Sequence, residues 1–208
     1  MKKWLFFDLG STLIDESACN PVWIERTIQG SAVSFAAYDQ VFRACCARNQ
    51  DGYNCAREHF QLPKAPWPGH LEKLYPGVPE MLERLSGRYA LGIIANQLSG
   101  LEERLRMFGI LDYFQVVAGS GDVGAAKPDP LLFRFALDRA GCDARNAAMV
   151  GDRLDNDIIP AQRLGMRTLW VRQGYGALGD PGLLEKRPDQ IADCVTDADY
   201  DAVFGGTV

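Results

Sequence analysis

The sequence predicts an α/β protein: a mostly parallel sheet flanked by helices, with a helical segment inserted after the first strand. Three observations carry this. Short apolar runs alternate with amphipathic stretches along most of the chain. The runs are apolar throughout rather than at every second residue, as in strands buried on both faces. From about residue 16 to residue 75 the alternation stops, and only helical spacing is found.

The first strand is the run at residues 4–8, which ends in an acid, Asp8. Helical spacing follows at Val22-Trp23 with Thr27-Ile28, at Phe35 with Val41-Phe42, and at Ala56 with Phe60. The segment 62–69 closes this region, because Pro63, Pro66 and Pro68 cannot lie inside a helix. Beyond it the pattern predicts a helix at 78–85, a strand at Ala90–Ala95, a helix at 101–108 and a weaker strand at 116–118. A helix at Pro130–Ala140 follows, with Asp129-Pro130 as its start signal and Gly141 just past its end. A strand at 147–150, a helix at 157–164 and a strand at 168–171 complete the alternation. The glycine-rich segment 119–124 lacks the Lys-Ser/Thr ending of a phosphate loop and reads as a flexible connection. The tail from Gly174 is rich in Gly, Pro and Asp. It is expected to cover the sheet edge, with Cys194-Val195 adding a short strand. The expected division is a core of residues 1–15 and 76–208 and a helical insertion of residues 16–75.

Composition narrows the function. The chain has 208 residues, 47% of them hydrophobic and 24% charged, which is ordinary globular usage. Its 22 Lys+Arg against 27 Asp+Glu give a net charge of −5 with no basic cluster, so a nucleic-acid partner is not expected. No apolar run approaches the ~20 residues of a membrane span. The N-terminal apolar stretch, broken by Asp8, falls short of the roughly 7–15 residues of a signal core. Six cysteines without C-x-x-C spacing argue against zinc and read as reduced thiols, which suggests a cytoplasmic protein.

In open parallel sheets, ligands bind beyond the carboxyl ends of the strands. After the first strand comes Asp8-Leu9-Gly10-Ser11-Thr12-Leu13, a carboxylate followed by a small-residue turn whose N–H groups suit an anion. After the second main strand comes Asn96-Gln97-Leu98-Ser99. After the third comes Lys127, a fixed positive charge just ahead of a helix N-terminus. After the fourth comes Gly151-Asp152-Arg153-Leu154-Asp155-Asn156-Asp157, with three carboxylates. A strand-end Asp is often only a helix cap, and Asp-rich turns are common. Four such turns in order are another matter. Carboxylates at two strand tips with a lysine nearby suit Mg²⁺ and a phosphate.

These turns resemble, in order, the four motifs of the haloacid dehalogenase superfamily of hydrolases. Asp8–Leu13 is similar to the first motif, Ala95-Asn96 lies where the second stands, Lys127-Pro128-Asp129-Pro130 with Phe133 is similar to the third, and Gly151-Asp152 through Asp157 is similar to the acidic fourth. Ala161, Gly165-Met166 and Trp170-Val171 follow the usual continuation. The resemblance implies a Rossmann-like parallel-sheet core, with the insertion as a small helical cap of the C1 type. It implies Asp8 as nucleophile, forming an aspartyl-phosphate with a small phosphorylated substrate. Mg²⁺ is then implied at Asp8, the backbone carbonyl of Gly10, Asp152 and Asp157. The bound phosphate is implied to lie against Ser11, Thr12, Ala95, Asn96 and Lys127.

Two positions depart from the pattern. Phosphatase members carry a second Asp two residues after the nucleophile, where this chain has Gly10, and a hydroxyl residue where it has Ala95. Losing a positioned general acid–base costs on the order of 10²–10⁴ in rate. A slow or specialised phosphatase, borrowing its acid elsewhere, is the leading expectation. Glu58, His59 and His70 are weighed as donors, and Gly10→Asp is expected to raise turnover. The alternatives are a dehalogenase, which the metal-type acidic run disfavours, and a phosphonate-cleaving enzyme using Lys64 or Lys73. A non-catalytic phospho-ligand or protein binder is the third.

Overall fold

A computed structural model describes residues 2–205. Six strands form one all-parallel sheet: β1 (Trp4–Phe7), β4 (Ala90–Ala95), β5 (Val116–Gly119), β6 (Ala147–Gly151), β7 (Arg167–Val171) and β8 (Gln190–Ala192). Their order is β5-β4-β1-β6-β7-β8, so the first strand lies in the middle. The chain runs outward from β1 through β4 to β5, then returns to the other side of β1 as β6. That reversal is the switch point at which such sheets open a crevice.

Alternation along β1 divides the core into two layers. Leu5 and Phe7 face a layer built with α4 (Val78–Ser86) and α5 (Leu101–Met107), and Phe6 faces one built with α7 (Pro130–Ala140) and α8 (Ile159–Arg163). Helix α4 buries Val78, Met81, Leu82 and Leu85, the spacing of one helical face. Helix α7 starts where its capping signals placed it: the Asp129 carboxylate accepts from the Leu131 N–H, and Gly141 ends it in the left-handed region.

The segment expected to be helical holds α1 (Cys19–Ile28), α2 (Phe35–Cys46) and α3 (Gly52–His59). They share an apolar cluster of Ile24, Tyr38, Phe42, Tyr53 and Ala56, separate from the two sheet layers. An antiparallel pair, β2 (Ile14–Asp15) with β3 (Lys73–Leu74), joins the two ends of this segment.

Several expectations are corrected. Strand β3 lies inside the stretch read as strandless, because two residues are too short to leave a period. Segment 119–124 is not a loose connection. It holds the short helix α6 (Ser120–Val123), pinned where Ser120 Oγ and the Gly121 N–H both donate to the Gln97 carbonyl. The helix expected at 157–164 begins as a π-helical turn, Leu154–Ile158, and becomes α8 at Ile159, where Pro160 suits a first turn. The last strand is Gln190–Ala192 rather than Cys194-Val195. The Val195 N–H donates to Gln173 Oε1 and its carbonyl accepts the Tyr200 hydroxyl, so side chains satisfy both backbone groups. Finally, Cys45 and Cys55 are joined by a disulfide between α2 and α3, so the reading of six reduced thiols fails at this pair. Cys19, Cys46, Cys142 and Cys194 are free.

Candidate active site

Adjacent strand tips bring the acids together. The Asp8 N–H donates to the Val150 carbonyl at 2.9 Å, which carries the β1–β6 register one residue past β1 and sets Asp8 beside the end of β6. Asp152 is the first residue beyond β6. Asp157 comes back to the same point from the π-helical turn, its Oδ2 accepting the Arg153 N–H at 3.0 Å. Gly151 makes room for it, since a Cβ there would lie 2.5 Å from Asp157 Cγ. Oxygens of Asp8, Asp152 and Asp157 all fall within 4.8 Å of one another.

Lys127 enters from the far side of the sheet, from the loop after β5. Asn96, just beyond β4, holds it by the backbone: the Lys127 N–H donates to Asn96 Oδ1 at 2.6 Å, and Asn96 Nδ2 donates to the Lys127 carbonyl at 2.9 Å. The Asn96 amide is thus spent on placing the lysine. Lys127 Nζ then donates to Asp8 Oδ1 and Asp157 Oδ1, both at 2.6 Å. Its side chain is 1% exposed and that of Asp8 14%.

Three carboxylates face one ammonium here, and the local electrostatics reflect the imbalance. Burial pushes Asp152 well above the usual carboxylate range, with the charges of Asp157 and Asp8 adding to it. Burial also raises Asp157, to about 6, against the pull of Lys127. Burial works to lower Lys127, but Asp157 and Asp8 outweigh it and leave the ammonium above its ordinary value. A hard divalent cation would offset the excess negative charge, and an all-oxygen donor set suits Mg²⁺.

The cluster opens into a cleft of about 450 Å³. Asp8, Gly10, Ser11, Ala95, Asn96, Lys127 and Asp152 line it, whereas Thr12 and Asp157 are buried behind its wall. Thr12 Oγ1 turns toward Asp152 Oδ1, at 3.4 Å. Ser11 adopts φ +54° and donates its hydroxyl to Glu16 Oε2 at 2.8 Å. The insertion supplies the far side, including Trp23, Tyr53 and Lys64. Trp67 lines the cleft and packs in the hinge as well, where its Nε1 donates to Glu72 Oε1 at 2.6 Å. Glu58, His59, His70 and Lys73 do not line the cleft.

Sequence reasoning missed three cleft groups. Arg104 reaches both Glu72 and Gln97. Arg153 pairs with Asp51 of the insertion and Asp155 of the π-helical turn. Glu16 also faces the cleft, and burial pushes its carboxyl up to about 7, with Asp8 and Glu72 adding to that and Ser11 opposing it. Arg153 stands within the fourth strand-tip turn, but no motif or period marks any of the three as a cleft group.

The family profile described as haloacid dehalogenase-like hydrolase matches residues 5–171. The glyceraldehyde 3-phosphate phosphatase of Pyrococcus abyssi is 32% identical over 198 residues, covering 84% of this chain and 83% of its own. The pyrimidine 5'-nucleotidase YjjG of Escherichia coli K12 is 28% identical over 191 residues, covering 81% and 85%. A crystal structure described as a HAD phosphatase from Thermococcus onnurineus superposes with a TM-score of 0.63 at 25% identity, covering 99% of both chains. The profile match runs from β1 to the end of β7 and takes in all four strand-tip turns, and on this evidence the chain belongs to the haloacid dehalogenase-like hydrolases.

Proposed function

We propose that this hydrolase is a phosphatase acting on a small phosphorylated metabolite, with Asp8 as nucleophile. The observation that carries the reading is the buried ammonium of Lys127 bridging Asp8 and Asp157 at the wall of a cleft. Asp8 Oδ attacks phosphorus, the bond to the leaving oxygen breaks, and water later cleaves the aspartyl-phosphate. Lys127 neutralises charge on the transferring group, and Asn96 holds Lys127 in place. Ser11, Ala95 and the turn N–H groups border the phosphate, and Thr12 acts from behind by steadying Asp152. Asp8, the Gly10 carbonyl, Asp152 and Asp157 would hold Mg²⁺. Its chemistry is to reduce the repulsion between a carboxylate and an anionic phosphoryl group. Residues 1–15 and 76–208 form the core in this reading, and residues 16–75 a cap that selects the substrate. The β2–β3 pair at the junction and the cap's own apolar cluster support that division. The cytoplasmic placement rested on reduced thiols, and the Cys45–Cys55 bond removes part of that support.

The test is Asp8→Asn, assayed for phosphate release on a phosphate-ester panel with Mg²⁺ or with chelator. Release should vanish in the variant with its circular dichroism unchanged, and should require metal in the parent. Full activity in the variant refutes the nucleophile assignment. Chloride release from a 2-haloacid that ignores chelator, or turnover of a phosphonate alone, would replace this reading with its alternatives.

A further inference from the structure

Hydrolysis through an aspartyl-phosphate involves two proton transfers, one to the leaving oxygen and one from the attacking water. Gly10 has no side chain to perform them, yet its backbone does not call for glycine, since it is not among the residues with positive φ. The group nearest to that missing side chain is the carboxyl of Glu16. A Cβ on residue 10 would lie 2.5 Å from Glu16 Oε1 and 3.0 Å from its Cδ. The Glu16 carboxyl therefore stands where a residue-10 side chain would begin.

The carboxyl is held in that place. The Glu16 backbone carbonyl accepts the N–H groups of Cys19 and Asn20 at the start of α1. Ser11 Oγ fixes Oε2 at 2.8 Å, and among the described residues no donor reaches Oε1, the oxygen turned toward position 10. The other carboxylates on the cleft wall are committed. Asp51 and Asp155 are paired with Arg153, and Asp8 and Asp152 belong to the three-acid cluster, of which Glu16 is not a member.

We propose that Glu16 is the general acid and base of the reaction, supplied from eight residues downstream in place of a side chain at position 10. The inference rests on the phosphatase reading above. In the first step Asp8 Oδ bonds to phosphorus, the bond from phosphorus to the ester oxygen breaks, and the Glu16 carboxylic acid gives its proton to that oxygen, releasing the alcohol. In the second, the Glu16 carboxylate takes a proton from water as the water oxygen bonds to phosphorus. The bond to Asp8 then breaks, inorganic phosphate leaves, and both carboxyl groups return to their starting forms.

Glu16→Gln tests this on two substrates, p-nitrophenyl phosphate, whose leaving group departs without a proton, and an alkyl phosphate. With the alkyl ester, kcat should fall on the order of 10²–10⁴. With the nitrophenyl ester, a burst of nitrophenolate equal to the enzyme concentration should remain, followed by slow turnover, because only the second step still lacks its base. Glu16→Ala combined with Gly10→Asp should exceed Glu16→Ala by about tenfold or more. Turnover of the alkyl ester by Glu16→Gln within about threefold of the parent overturns the proposal. So does equal slowing of both substrates with no burst, which marks a structural role. If Asp8→Asn keeps its activity, or the parent hydrolyses no phosphate ester, the phosphatase reading itself fails.

Discussion

At Gly151 the absence of a side chain makes room for a carboxylate arriving from elsewhere in the chain. Gly151→Ala would put a methyl group 2.5 Å from Asp157 Cγ and displace the carboxylate that Lys127 grips. Overpacking of this kind costs about 1–3 kcal/mol. Urea denaturation should show a loss in that range, and an unchanged midpoint would mean that Asp157 moves aside freely. Lys127→Met is the complementary case: it strands the Asp8 and Asp157 carboxylates without their ammonium. Removing one partner of a buried pair costs about 3–5 kcal/mol. Denaturation in chelator should approach that loss, and Mg²⁺ should restore part of it by supplying another positive charge.

Helices α2 and α3 are held together by more than their apolar faces. Cys45 and Cys55 are ten residues apart in sequence, and closing a loop of that length stabilises a fold by about 2–3 kcal/mol. Reductant should lower the denaturation midpoint of the parent and leave Cys55→Ser unaffected. Thiol titration of the unfolded, unreduced chain should find the four cysteines that are free in the structure. Six titrating thiols would show the bond to be absent in solution. The π-helical turn at Leu154–Ile158 matters in another way. It hands Asp157 to the cluster and Asp155 to Arg153, which reaches Asp51 in the insertion. One element thus links the acidic centre to the helices that roof the cleft.

Across the whole molecule, the site depends on four loops that are far apart in sequence and adjacent only because β4 and β6 flank β1. Their concentrated negative charge makes the folded state a better cation ligand than the unfolded chain, in which the acids are dispersed. A ligand at 100 times its Kd stabilises a fold by about 2.7 kcal/mol. Saturating Mg²⁺ should therefore raise the melting temperature of the parent and not that of Asp152→Asn, and an equal rise in both would place the cation elsewhere.

The parallel sheet, the helical segment after the first strand and the candidate residues Asp8, Lys127, Asp152 and Asp157 are legible in the order of residues. Apolar runs buried on both faces and acids just beyond them are local features, and local features are written in consecutive residues. Packing between distant segments fixes the remaining features. The order β5-β4-β1-β6-β7-β8 lets the Asn96 side chain clasp the Lys127 backbone, and it turns Thr12 toward Asp152. The place of the last strand, the Cys45–Cys55 bond and the packing of Glu16 into the space above Gly10 were likewise fixed by folding. Each depends on contact between groups that have no shared period or motif, so their meeting is set by how the chain packs and leaves no mark in the order of its residues.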